Sequence, residues 1–258
     1  MVVSLIVDLV RGAPLIGSSI AGYNMVEGAR YYGLGNELMG TMLGCAIIGV
    51  GMLLSSGRAA QFSPRLKTAA AAAVLCVVLL GIGAPMLGAN TGGAIAAAFG
   101  IVAVFAARRG RPLSVRSAVL AGLVIVFVVG ALFAVDALRG AGSQSHIGRT
   151  ADIAASGDAQ ILFGIFQRKI ALNLKLLSHS LWSRLLLIGL VGSALMWWQG
   201  KKVFGSGFLT KERSAAGIGC LVGTIAAFAF NDSGVLAAAT CVVPLWSMLG
   251  IVILERSA

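Results

Sequence analysis

Charge is what this chain has least of: 11% of its 258 residues are Asp, Glu, Lys or Arg, and only nine are acidic. Soluble domains carry roughly 25% charged residues, so this sequence is not built for water as its main solvent. Segments of about ten residues that alternate apolar and polar, the mark of a membrane β-barrel, are absent. So are the GxSxG, HExxH and P-loop spacings that carry hydrolase, metalloprotease and nucleotide chemistry. The four cysteines, Cys45, Cys76, Cys220 and Cys241, form no CxxC or Cys/His spacing and all fall in apolar runs. They read as small packing residues, so no metal site is expected and the redox compartment stays open. No motif identifies a cofactor.

What is present is hydrocarbon: 58% apolar residues and a mean hydropathy of +0.94. They cluster into runs of roughly 17 to 22, the length a helix needs to cross about 30 Å of lipid. The expected fold is an all-α, polytopic transmembrane bundle of about seven spans, at 37–55, 68–86, 92–107, 117–135, 183–199, 215–230 and 235–254. The third, GGAIAAAFGIVAVFAA, is almost wholly Gly, Ala and single large residues, which lets neighbouring backbones approach and predicts a central position. The chain reads as one membrane domain over 1–258, with a Gly-rich lead-in at 1–35 and a long connection at 137–182. MVVSLIVDLV at the start is too short to span and carries Asp8 where a signal peptide is apolar, so it reads as the tail of a helix from a longer chain.

Lys and Arg counts orient the spans, because cytoplasmic connections retain positive charge. One set of connections holds twelve cations, among them Arg58, Arg108, Arg109, Lys201, Lys202 and Arg256, against Glu212 and Glu255 alone. The other set holds eight cations and seven acids over about twice the length. The first set is expected in the cytoplasm of a bacterial plasma membrane, with the C-terminus there too. The pI of 10.3 then reflects topology and anionic headgroups, not nucleic acid.

With that orientation, GARYYGLGNE (28–37), GANTGG (88–93), SHIGR (145–149) and NDSG (231–234) all come out on the external face. Asn36, Asn90 with Thr91, and Asn231 to Ser233 each precede a span, so N-capping is their first expected role. Three helix N-termini opening on one face also favour an anion where they converge. Arg30, Arg149 and Lys169 are candidates to supply formal charge, and Tyr31 and Tyr32, beside Arg30, to form a pocket wall. An amphipathic interfacial helix is expected at 160–178 of the external connection, with Gln160, Gln167, Arg168, Lys175 and Ser178 on its polar arc. Lys169 and Asn173 break that arc and project from its apolar face, either snorkelling or pointing into a polar interior. His146 and Glu37 are the candidate acid/base groups, against structural roles for each: a loop hydrogen bond for His146, the helix N-terminus for Glu37. Asp232 is a candidate binding residue with the same helix-start alternative. Trp182, Trp197 and Trp198 read as interfacial anchors.

GARYYGLGNELMG, GANTGGAIAA and SHIGR followed by RK and Asn173 together resemble the membrane half of large uncharacterised bacterial envelope proteins whose other half is alkaline-phosphatase-like. That resemblance implies an extracytoplasmic enzyme partner and no particular activity. In plan the chain is also similar to the O-antigen ligase and polymerase group, with Arg30, Gly33 and Asn36 before a long span and a late polar turn. That likeness implies transfer from a polyprenyl-pyrophosphate carrier, although the NDSG turn here lacks the histidine of that group and the spans are fewer. The expectation is an external site for a phosphate-bearing, lipid-linked envelope substrate. In its sharp form Arg30, Arg149 and Lys169 neutralise the phosphates, Asn36, Asn90 and Asn173 orient the donor, and His146 or Glu37 activates an acceptor. Asn231 and Asp232 complete the binding set. A transporter or flippase, or a non-catalytic module assembling with an envelope enzyme, are the alternatives.

Overall fold

A computed structural model describes residues 1–19, 21, 33–110, 115–137 and 159–257. Among these there are ten α-helices and no strand. Two short helices, α1 (Val2–Val10) and α2 (Pro14–Ser18), precede the long ones. These are α3 (Asn36–Leu54), α4 (Pro64–Gly83), α5 (Thr91–Arg108), α6 (Val115–Ala137), α7 (Ala159–His179), α8 (Leu181–Phe204), α9 (Lys211–Phe230) and α10 (Gly234–Ser257).

Local chemistry sets several of the starts. The side chains of Ser63, Asn90, Ser180 and Thr210 accept from the free N–H groups of Leu66, Gly93, Trp182 and Arg213, and Pro64 occupies the first helical position of α4. Asp8 acts likewise between elements. Its buried carboxylate accepts from Leu15 N at 3.1 Å and Ile16 N at 2.8 Å, so the charge that breaks the first apolar run caps α2.

Six helices, α3, α4, α5, α8, α9 and α10, are long and apolar enough to cross a membrane. The remaining expected span, 117–135, coincides with α6, whose 23 residues exceed the roughly 20 that a crossing needs. The chain is therefore an all-α polytopic bundle. Span α8 runs past its apolar stretch to Phe204, so Lys201 and Lys202 lie in its last turn, not in a loop. Cations are favoured at the negative end of the helix dipole, and Lys202 Nζ sits 5.5 Å from the centre of the Trp198 ring.

In lipid, water exclusion does not drive helix to helix, so contact depends on close approach of small residues. The Gly219-x-x-x-Gly223 pair of α9 meets Gly100 of α5; a Cβ on Gly219 would run into Val104 and lie 2.9 Å from the Gly100 carbonyl oxygen. Gly40 and Gly44 do the same for α3 on α10, pressed on the carbonyls of Ala237 and Cys241. Central α5 packs on α9, α4, α6 and α3, as its Gly/Ala composition predicts. Large side chains such as Leu53, Phe127, Leu187 and Ile225 stay on the outside, where hydrocarbon is the solvent. Cys220 and Cys241 are buried and free, and the Cys220 thiol donates to the Cys241 carbonyl at 3.2 Å.

At the end of the bundle where α9 begins and α10 finishes, Arg213 pairs with Glu255 at 2.8 Å and donates to Ser55 Oγ at 3.0 Å. It ties α9 to both α10 and the end of α3.

Candidate functional site

The opposite end carries the asparagine motifs. Its foundation is a backbone lock: Leu34 N donates to the Gly88 carbonyl at 2.7 Å, which pins the lead-in of α3 on the α4–α5 turn. Gly33 makes this possible, because it has φ +81° and any Cβ there would run into the Gly88 carbonyl. The turn folds back on α4 through Gly88 N to Gly81 O at 2.9 Å and Asn90 N to Ile82 O at 3.0 Å.

Asn90 emerges from that turn 2% exposed, with both ends of its amide in use. Its Oδ1 accepts from Gly93 N at 2.8 Å and caps α5. Its Nδ2 donates to the Leu34 carbonyl at 3.2 Å and to Asn36 Oδ1 at 3.1 Å, joining α5 to the start of α3. Next along the line is Gly92, where a Cβ would lie 2.6 Å from the Phe230 carbonyl oxygen and 2.8 Å from Asn231 Oδ1. The first turn of α5 is thereby seated on the α9–α10 turn, with Phe99 stacked on Phe230 at 5.8 Å between centroids. Asn231 is buried, and its Nδ2 donates to the Ala227 carbonyl at 3.2 Å. Asn173 of α7 closes the line: Nδ2 donates to the Asn231 carbonyl at 3.4 Å, and Oδ1 accepts from Val235 N at 3.3 Å.

Four of the candidate residues thus line one seam made of two hydrogen-bonded pairs, Asn36 with Asn90 and Asn173 with the Asn231 carbonyl, which meet where Gly92 lies against Asn231. Their roles differ from simple capping in order. Asn90 caps its own helix as expected. Asn36 does not, since Gly35 holds the cap position and Asn36 is the first helical residue, free to accept from Asn90. Asn231 satisfies a carbonyl of the preceding helix α9, and the start of α10 is capped in trans by Asn173. A capping signal in sequence shows that a helix end is near, but not which end a side chain will reach.

Glu37 is half-buried in the first turn of α3, where its charge complements the helix dipole. Asp232 is exposed on the α9–α10 turn, and both acids are engaged. Lys169 is placed by its backbone on α7, one turn before Asn173. Arg30, Tyr31, His146 and Arg149 lie outside the described residues. Among the described residues there is no group of three or more His, Cys, Asp or Glu side chains that could hold a metal ion.

A cavity of about 350 Å³ opens beside the seam, between α7 and the end of α9. Its walls are Ile170, Leu174 and Leu177 on one side and Phe228 to Phe230 on the other, with Asn173 at its polar edge. Sequence reading missed it, because it forms where the apolar face of α7 fails to close on α9. The one advance signal was the run of apolar residues on α7 around Asn173. A second cavity, about 410 Å³, lies in the groove between α3 and α10. Its Thr41, Thr240 and Ser247 hydroxyls donate to carbonyls of their own helices, so they offer no donor to a ligand.

The seam is chemically a set of neutral amides that position backbone. It brings the N-termini of α3, α5 and α10 to one end of the bundle, and such ends favour negative charge. Comparison with known proteins finds no matching family model, no matching curated protein and no matching solved structure.

Proposed function

We propose that the chain is a bacterial plasma-membrane protein that binds a phosphate-bearing, lipid-linked envelope substrate at the asparagine end of its bundle. That end faces outward and the C-terminus lies in the cytoplasm, in keeping with the twelve cations against two acids in the connections and flanking helix turns of the other side. The supporting observation is that three helix N-termini share one end of the bundle, held by the bonds of Asn90 to Asn36 and Gly93 and by those of Asn173 to Asn231 and Val235. Asn90 and Asn173 are positioning residues here: with both amide ends occupied, they set where the helix ends point. Arg30, Arg149 and Lys169 supply the charge that neutralises phosphate, and transfer from the bound donor, with His146 or Glu37 activating the acceptor, is the sharp form of this reading.

The test is binding of a short polyprenyl phosphate, with the uncharged polyprenol as control, to protein in nanodiscs followed by native mass spectrometry. Arg30→Ala, Arg149→Ala and Lys169→Ala should each weaken the phosphate about tenfold, the equivalent of roughly 1.4 kcal/mol, and leave the polyprenol unchanged. Equal binding of the two lipids would sink the proposal. One observation favours a second reading, a non-catalytic module assembling with an envelope enzyme: the amides of Asn90 and Asn173 are committed to backbone, not left free for a substrate. Normal envelope-enzyme recruitment by a His146→Ala, Glu37→Gln double variant, without any transfer activity in the parent protein, would select it.

A further inference from the structure

We infer that the cavity between α7 and the end of α9 receives the hydrocarbon chain of an anionic membrane lipid. The inference rests on the reading above and identifies which part of the amphiphile enters the protein.

The walls are apolar and uncovered. Ile170, Leu174, Leu177 and Phe230 keep 41–60% of their surface exposed, although α7 already packs on α8 and α10. Among the described wall residues Asn173 alone is polar, and it has its donor on the Asn231 carbonyl and its acceptor on Val235 N. A water-soluble phosphate or sugar entering here would lose its hydration against these described walls with no replacement donor from them, which is costly. A methylene chain needs no partner and gains the packing that an empty space forfeits. At about 350 Å³ the space also falls within the range of small-molecule sites, roughly 300–1,000 Å³.

Charge selects among lipids. Helix α7 carries Arg168, Lys169 and Lys175 and no Asp or Glu over its 21 residues. Basic residues on a surface-lying amphipathic helix attract anionic headgroups, at about 1 kcal/mol for each cation near the surface. An anionic headgroup at α7 with its chain directed between α7 and α9 satisfies both the cations and the apolar walls. On the backbone of α7, Lys169 lies one helical turn before Asn173 of the amide seam.

The experiment is photocrosslinking in nanodiscs, with phosphatidic acid carrying a diazirine in mid-chain and the matching phosphatidylcholine as control. Adducts should map to 170–177 and 228–230, at several-fold higher yield for phosphatidic acid. They should fall at least tenfold in Leu174→Trp, a variant of a side chain exposed enough to leave the fold intact. Ile170→Trp on the same wall provides the second variant. Adducts spread evenly over the outer surface, including Leu123 and Phe127, and indifferent to both tryptophans would overturn the inference. If polyprenyl phosphate binding persists in that case, the chain site alone is wrong. If it too is lost, the proposed function falls with it.

Discussion

Replacing Asn90 by Ala removes the residue that joins α5 to the lead-in of α3. Three bonds go: the cap on Gly93 N at 2.8 Å and the two donations to Leu34 O and Asn36 Oδ1 at 3.2 and 3.1 Å. Loss of an N-cap costs about 1 kcal/mol. Interhelical hydrogen bonds in membrane proteins average about 0.6 kcal/mol each, so the pair adds about 1.2 and the whole change is about 2 kcal/mol. Because Asn90 is buried, water does not readily replace what is lost. Asn90→Ser separates the parts, since serine retains a capping oxygen but does not reach across to Leu34 and Asn36. It should therefore recover about half of the loss. The assay is reversible unfolding by steric trapping in bicelles, which reads free energy without denaturant. An Asn90→Ala variant within 0.5 kcal/mol of the parent, on the order of an ordinary surface change, would refute the latch; a serine variant as weak as alanine would refute its division into cap and cross-link.

Gly40→Ala should destabilise α3 on α10 by about 2 kcal/mol or more, because the added methyl meets the backbone carbonyl of Ala237, whereas Gly49→Ala, with nothing within 4 Å, should be neutral in the same assay. Asn173→Ala should release α7: hydrogen exchange over 159–179 is expected to quicken at least several-fold while α3 and α5 stay protected, and unchanged exchange in α7 would show that this residue is not its tether. Topology is checked with introduced cysteines in a chain otherwise free of them. Asp232→Cys should react with a membrane-impermeant maleimide in intact cells and Ser257→Cys only after permeabilisation, and the reverse pattern would invert the assignment.

Six of the seven expected spans, the central Gly/Ala span and the helix before α8 were legible in the sequence. Each depends on a local property: run length against bilayer thickness, small residues against backbone approach, and the angular spread of polar groups around a helix. The gathering of polar motifs at helix ends was legible for the same reason, since Asn, Gly and Ser recur where helices start and stop. Which partners those residues take was not. Asn36 and Asn231 sit in the same kind of motif as Asn90, yet only Asn90 caps its own helix N-terminus. The cap of α10 comes from α7, 62 residues away along the chain. Such pairings depend on which helix ends the packing of α3 on α10 and α5 on α9 brings side by side. The cavity under α7 is likewise a product of assembly, for it is a place where two apolar surfaces do not meet. That the chain is a membrane helical bundle is written in its sequence, because the hydrocarbon thickness and the backbone's need for internal hydrogen bonds act on each segment separately. That Asn36 pairs with Asn90, and Asn173 with the backbone of Asn231, follows from the tertiary structure alone, because a hydrogen bond between distant residues exists only once close helix packing has brought them within about 3 Å.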